Sequence, residues 1–356
     1  MRHRLLPAVA LVLLAAGTAC DQRQAYGDPN AIVVGTPEER WTSVQDILQE
    51  ELQPTFFTVR DEETFRMTWK DPVDADWPVL RQFRQVLLVG SPEDPWMEEA
   101  IQVARRGDAD LTPPALVQVF DVWARGQVVN LMLVSPTAGE ATIRPLADSL
   151  QNILDEQYRQ ISLSRMYASG RNDSLTVQLE RNRGFTLDLP RVYYWDVQDS
   201  VWLFRNDNPD PSQLIRQIAV TWISPIPDEE VYSQEWLAAW RQELVDGYYQ
   251  DRQVTDLQRA ELSRGRLGER EIVQLQAGWT NPPDESWPVA GPVIMRGVEC
   301  PGQDRLYLVD AWLYAPGQDK YQYMIQLETI LNSFRCTDSI PTPDEVVAPG
   351  EVGATG

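Results

Sequence analysis

Residues 301–331 read PGQDRLYLVDAWLYAPGQDKYQYMIQLETIL. Residues 304–316 form an apolar run between turn formers and predict a strand. Over 319–334, Tyr321, Met324, Leu327, Leu331 and Phe334 recur at helical spacing. Strand, turn, helix is the unit that decides the fold. An earlier stretch, ARGQVVNLMLVSPTAGEATIRPLADSLQNIL (124–154), repeats the order and ends on the same Ile-Leu. A duplicated unit explains the likeness, and so does chance similarity between two antiparallel edges.

Working outward, the second half predicts strands at GFTLDLP (184–190), VWLFRND (201–207), LIRQIAVTWIS (214–224), EIVQLQAG (271–278) and PVIMRGVEC (292–300). A helix over 228–248 carries Tyr232, Trp236, Trp240 and Leu244 as an i, i+4 stripe. The first half opens on the strand AIVVG (31–35). A helix to about Leu52 follows, with Thr36 at its N-cap, Pro37 in its first position and Glu39 completing a capping box. RQVLLVG (84–90) reads as a buried strand, and residues 117–135 as a hairpin turning at Gly126. A long helix starts near Ala141, with Ile143, Leu146, Leu150, Ile153, Leu154 and Ile161 at helical spacing. Runs of strands with helices to one side predict an α+β fold of two similar halves, each a mostly antiparallel sheet flanked by helices. The halves span 31–167 and 184–336, joined by a polar linker at 168–183. A tail at 337–356 has no core-forming period and is expected to be disordered.

The N-terminus reads as a leader. Arg2, His3 and Arg4 precede about a dozen apolar residues, Leu5 to Ala16, against the roughly 20 that span a bilayer. A positive start, a short apolar middle and the small exit Gly17-Thr18-Ala19 predict an export signal at 1–19. Ordinary signal peptidase would free Cys20 as the first residue. The same residues also resemble the lipobox of bacterial lipoproteins, in which the cysteine takes a diacylglycerol thioether; Gly17 stands where that motif more often has Leu. Cysteine parity favours lipidation of Cys20. The chain has three cysteines, and lipid on Cys20 leaves Cys300 and Cys336 as a pair. A bridge between those two would close a loop worth roughly 3–4 kcal/mol; two buried thiols are the other reading. Residues 20–30 then form the lipidated cysteine and a tether reaching at most about 35 Å from the membrane. Asp21 resembles an inner-membrane retention signal in some bacteria, and the choice of membrane stays open.

Removing 1–19 leaves 29 basic residues against 53 acidic, a formal charge of −24. Such a surface as a whole repels phosphate backbones and anionic lipid headgroups, so no nucleic-acid partner is expected. The one histidine, His3, leaves with the leader. Without imidazole, Ser-His-Asp, Cys-His and HExxH chemistry are excluded, leaving carboxylate, tyrosine or lysine chemistry. The doublets Glu38-Glu39, Glu50-Glu51, Glu62-Glu63, Glu98-Glu99 and Glu229-Glu230 read as solvated acids, several in first turns of helices, where they favour the dipole. NDNPDPS (206–212) is rich in oxygen but lacks the spacing of a calcium loop. Trp195 with Trp202, or Trp279 with Trp287, fall near predicted loops where a glycan could stack; Trp222, Trp236 and Trp240 suit a core. No catalytic residue, metal ligand or cofactor site is assigned.

NAIVVG with its helix, RQVLLVG, the mid-chain helix, GFTLDLP, VWLFR and YAPGQDKYQYMIQLETILNSF together resemble a bacterial lipoprotein family catalogued as domain of unknown function 4837, over about Asn30 to Phe334. The acidic tail and the Cys300/Cys336 pair depart from it. The family brings fold and location but no activity. GFTLDLP and LYLVDAWLYAP with its helix more distantly resemble PsbP and Mog1 modules, which implies binding or assembly roles. The expectation is a membrane-anchored, non-catalytic binding or envelope-assembly module facing the periplasm or cell exterior, its partner an envelope protein or glycan. The alternative is a carboxylate-dependent hydrolase of envelope glycans.

Overall fold

The computed structural model describes residues 22–284 and 288–340. In chain order the elements begin β1 (Ala31–Gly35), α1 (Glu38–Leu52), β2 (Thr55–Phe56), β3 (Glu62–Glu63), β4 (Arg66–Lys70), α2 (Trp77–Leu80), β5 (Gln85–Gly90) and α3 (Glu98–Arg106). Next come β6 (Ala115–Phe120), β7 (Val128–Leu133), α4 (Glu140–Met166), α5 (Asp173–Arg183), β8 (Phe185–Thr186), β9 (Tyr194–Gln198) and β10 (Val201–Asn206). The rest are β11 (Ile215–Ile223), α6 (Gln234–Tyr248), β12 (Val254–Leu267), β13 (Arg270–Thr280), β14 (Ala290–Cys300), β15 (Arg305–Tyr314), α7 (Tyr321–Asn332) and β16 (Arg335–Cys336). The class is α+β, as expected. Among the described residues no helix is long and apolar enough to cross a membrane.

The described chain divides into two compact units, residues 22–43 with 67–139 and residues 44–66 with 140–340. The first holds a five-stranded sheet in the order β4-β1-β5-β7-β6. β1 pairs with β5 in parallel, as does β5 with β7, and β6 closes the sheet antiparallel to β7 through the turn at Gly126, whose φ is +78°. All six residues of β5 are buried, as its unbroken apolar run requires of a parallel strand covered on both faces. On one face Val33, Val86, Leu88, Val129 and Leu131 pack with Ala100, Ile101 and Ala104 of α3.

The capping box at Thr36 is not made. The Thr36 hydroxyl donates instead to the Val89 carbonyl at 2.7 Å, and the Asp71 carboxylate accepts from the Glu38 N–H at 3.0 Å. A carboxylate supplied from another segment therefore serves the helix start.

Residues 22–30 are not a free tether. The Ala25 N–H donates to the Arg125 carbonyl at 2.9 Å, the Arg125 N–H to Arg23 at 2.8 Å, and the Arg84 N–H to Tyr26 at 2.7 Å. The Tyr26 ring lies 4.6 Å from that of Phe83, and its hydroxyl donates to the Val79 carbonyl at 2.6 Å. Polar, turn-forming sequence suggested solvent, but backbone pairing and the buried Ala25 hold this strip onto the unit.

The second unit is built on a seven-stranded sheet, β12-β13-β14-β15-β11-β10-β9, every neighbouring pair antiparallel. β15 lies at its centre and is buried on both faces. Val309, Ala311 and Leu313 pack with Leu175 and Leu179 of α5 and Leu327 and Leu331 of α7. Leu308 and Trp312 pack with Leu237 and Leu244 of α6. Helices thus cover both faces of this sheet, not one, because the central strands are apolar on both sides.

Residues 168–183 are not a linker. Asn172 caps α5 by accepting from the Leu175 N–H, Gly184 ends it with φ +79°, and Leu175 and Leu179 enter the core. The two stretches that looked like a duplication sit in different surroundings. β7 belongs to a sheet with parallel pairs, β15 lies between antiparallel neighbours, and α4 falls in the same unit as β15. Four residues of the expected tail are described, and they are anchored. The Thr337 N–H donates to the Gly184 carbonyl at 2.9 Å and Arg270 pairs with Asp338 at 2.8 Å. Residues 341–356 lie outside the described residues.

Candidate functional site

The second unit carries a cavity of about 370 Å³ whose walls include Trp279, Trp312, Tyr314, Asp251, Arg252 and Asn281. Beside it the strands approach closely. A Cβ at Gly291 would meet the Leu313 carbonyl at 1.8 Å and the Trp279 indole nitrogen at 2.7 Å, so only glycine fits there. With it, Trp279 donates its indole N–H to the Leu313 carbonyl at 3.2 Å and meets Trp312 edge-on, ring centroids 5.3 Å apart. The Trp312 indole nitrogen is buried and has no hydrogen-bond partner among the described residues.

The charges of this wall are paired. Arg205 of β10 donates to Asp251 at 2.8 Å and to Gln217 at 3.2 Å, with its guanidinium 5.9 Å from the Trp312 ring. Arg252 pairs with Asp284 at 3.0 Å. Deeper in the unit, Arg241 of α6 donates to Asp310 of β15 at 3.0 Å with both side chains fully buried. Arg241 also donates to Thr255 and Gln253, and the Tyr249 hydroxyl donates to Asp310. Burial, then the Asp310 carboxylate, push the Tyr249 phenol well above its ordinary value. Aromatic walls with paired charges can accommodate a ligand by stacking and hydrogen bonding.

The five acidic doublets do not form a site. Glu38, Glu39, Glu98 and Glu99 lie in first turns of helices, and Glu229 and Glu230 in a 3₁₀ turn. Glu50 and Glu51 pair with Arg144, Glu62 pairs with Lys320 at 2.6 Å, and Glu63 accepts from Gln53. Two acids not singled out in the sequence do converge. Asp155 of α4 and Glu328 of α7 share a cavity of about 280 Å³ with Arg159 and Tyr321. Both oxygens of Asp155 are engaged, one accepting from Arg159 at 2.7 Å and the other from the Tyr321 hydroxyl. Glu328 lies 3.9 Å from Arg159, too long for a strong bond. Burial raises its carboxyl above the ordinary value, outweighing the attraction of Arg159 and Arg296.

That shift has a sign that can be measured. Glu328 holds its proton more tightly folded than unfolded, so its contribution to stability is full below about pH 4.5 and is lost as pH rises through the folded value. Glu328→Gln, neutral at every pH, is expected to melt above the wild type at pH 7, with the gap closing by pH 4. Parallel melting curves at both pH values would refute this.

The remaining sequence candidates are placed as follows. Cys300, buried at the end of β14, is disulfide-bonded to Cys336 of β16 with Cα atoms 6.3 Å apart. Cys20 and Trp287 lie outside the described residues. Trp202 is buried between Trp195 and Phe204, at 5.4 and 6.1 Å, inside the core. Trp236 and Trp240 pack half-buried against the opposite face of the sheet. Trp222 lies beneath the Arg305 guanidinium at 4.4 Å. In NDNPDPS, Asp210 accepts from the Ser212 N–H and hydroxyl, and Asp207 accepts from Tyr194; the oxygens serve turns.

Three solved structures are similar to part of the chain. Cyanobacterial PsbP from Synechocystis is 14% identical, covering 43% of this chain and 86% of its own, with a TM-score of 0.29. The Saccharomyces cerevisiae Ran-binding protein Mog1p is 11% identical, covering 44% and 91%, at 0.29. LpqN, involved in cell envelope biogenesis of Mycobacterium tuberculosis, is 12% identical, covering 43% and 83%, at 0.28. No curated protein matches the chain. Residues 172–333, which run from the cap of α5 to the end of α7 and contain the aromatic cavity, match the family described as Domain of unknown function (DUF4837).

Proposed function

We propose that the protein is exported, carries lipid on Cys20, and acts at the cell envelope as a non-catalytic module that binds an envelope protein or glycan. One observation carries the location. Cys300 and Cys336 are bonded to each other, which leaves Cys20 as the one unpaired cysteine, directly after a leader-like segment. The binding role is supported by the aromatic cavity with its paired charges. Metabolic labelling with palmitate tests the anchor: label is expected in the wild type and absent in Cys20→Ala, and an unlabelled wild type overturns it.

The hydrolase reading has one observation in its favour, the half-buried Glu328 with its raised carboxyl beside Asp155. It requires that the purified protein release fragments from envelope glycans and that Glu328→Gln stop the release.

A further inference from the structure

We infer that the end of the first unit's sheet where its parallel strands begin is the surface that rests on an anionic lipid bilayer. This rests on the anchored reading above and adds an orientation to it. β1, β5 and β7 start at Ala31, Gln85 and Val128, and antiparallel β6 ends beside β7 at Phe120. The strip 22–27 is bonded along this end, to Arg125 and Arg84 through the backbone and to Val79 through Tyr26. From Cys20 to Arg23 the chain spans at most about 11 Å. A lipid on Cys20 therefore brings this end within headgroup reach, whatever path Asp21 takes.

The side chains gathered here suit that neighbour. Arg23, Arg84 and Arg125 carry no carboxylate partner among the described residues. Arg125 donates to the Gln24 amide oxygen at 3.2 Å and Arg84 to the Gly27 carbonyl at 3.4 Å, both neutral. Three such cations at one end are notable in a chain whose acids outnumber its bases by 22 and whose overall charge repels anionic headgroups. Two exposed acids lie at the same end, Asp28 just before β1 and Asp121, whose carboxylate accepts from the Gly126 and Gln127 N–H groups. At the same end lie Tyr26, Val79 and Phe120, exposed by 39, 59 and 58%. Exposed aromatic and aliphatic groups beside arginines suit the interface between headgroups and acyl chains.

The test is amide hydrogen exchange on vesicles. Mature protein is coupled through Cys20 to maleimide-lipid vesicles of phosphatidylcholine alone or with 30% phosphatidylglycerol. Coupling is specific because Cys300 and Cys336 are bonded to each other. Exchange is expected to slow about fivefold or more in peptides covering 22–27, 79–84 and 120–126 on the anionic vesicles, and to stay unchanged at 91–94 and 135–138 at the other end of the sheet. The triple variant Arg23→Glu, Arg84→Glu, Arg125→Glu, checked for an unchanged melting temperature, is expected to lose the protection. Equal exchange on both vesicle types, protection at the other end, or protection surviving in the variant overturns the inference. Chemical coupling keeps this result separate from the anchor itself, which fails only if Cys20 from the native host carries no lipid.

Discussion

Asp310→Ala is expected to destabilise the second unit by about 3–5 kcal/mol in urea titration. Asp310 is fully buried in the middle of β15, 3.0 Å from the fully buried Arg241 guanidinium. Its removal leaves that cation, among the described residues, with the neutral acceptors Thr255 and Gln253, and strips the Tyr249 hydroxyl of its acceptor. An uncompensated buried charge costs far more than the pair contributes, since taking both ions out of water offsets most of their attraction. The double replacement Arg241→Met with Asp310→Leu is accordingly expected to recover most of the loss. A deficit under about 1 kcal/mol for Asp310→Ala would mean that water reaches Arg241.

Cys300→Ser together with Cys336→Ser is expected to cost about 3–4 kcal/mol, read from the same titration. The bond ties the end of β14 to β16, which pairs with β8 just after α7. Because the two residues are 36 apart, opening the bond frees a loop that includes β15 and α7, and the cost falls on the unfolded chain's gain in entropy. Gln303, inside that loop, donates to the Gly184 and Thr337 carbonyls, so these neutral bonds remain in the double variant. An unchanged urea midpoint would show that they alone fix the C-terminal segment.

Much of the architecture was legible because local pattern and tertiary position agree. RQVLLVG is buried at every position of β5, the Gly126 turn takes the positive φ that glycine permits, and the 124–154 and 301–331 stretches fold as strand, turn and helix. What escaped depended on distant partners. Arg241 sits on a helix whose i, i+4 aromatic stripe pointed to another face; only Asp310, 69 residues later, makes its burial possible. α5 was hidden in polar sequence, although Asn172 at its start and Gly184 at its end are ordinary boundary signals. Parallel pairing of β1 with β5 leaves no mark in either strand alone, so the first sheet's topology was not readable. The cavity walls combine Asp251, Trp279 and Trp312 from three separate segments, and Gly291 marks the site only once β15 is placed beside it.

β12 was missed for a different reason: VTDLQRAELSRGRL is mostly exposed and charged, and reads as loop. It is nonetheless fourteen residues long and forms one border of the seven-stranded sheet, with its register to β13 broken between Asp256 and Glu261. A long outer strand presents a row of unsatisfied amides and carbonyls to any other chain. Here Arg259, Glu261, Arg264 and Arg266 make stacking of a second copy electrostatically and sterically costly, and the kink prevents a straight match. The same polarity that obscured the strand therefore disfavours pairing of a second copy along this border.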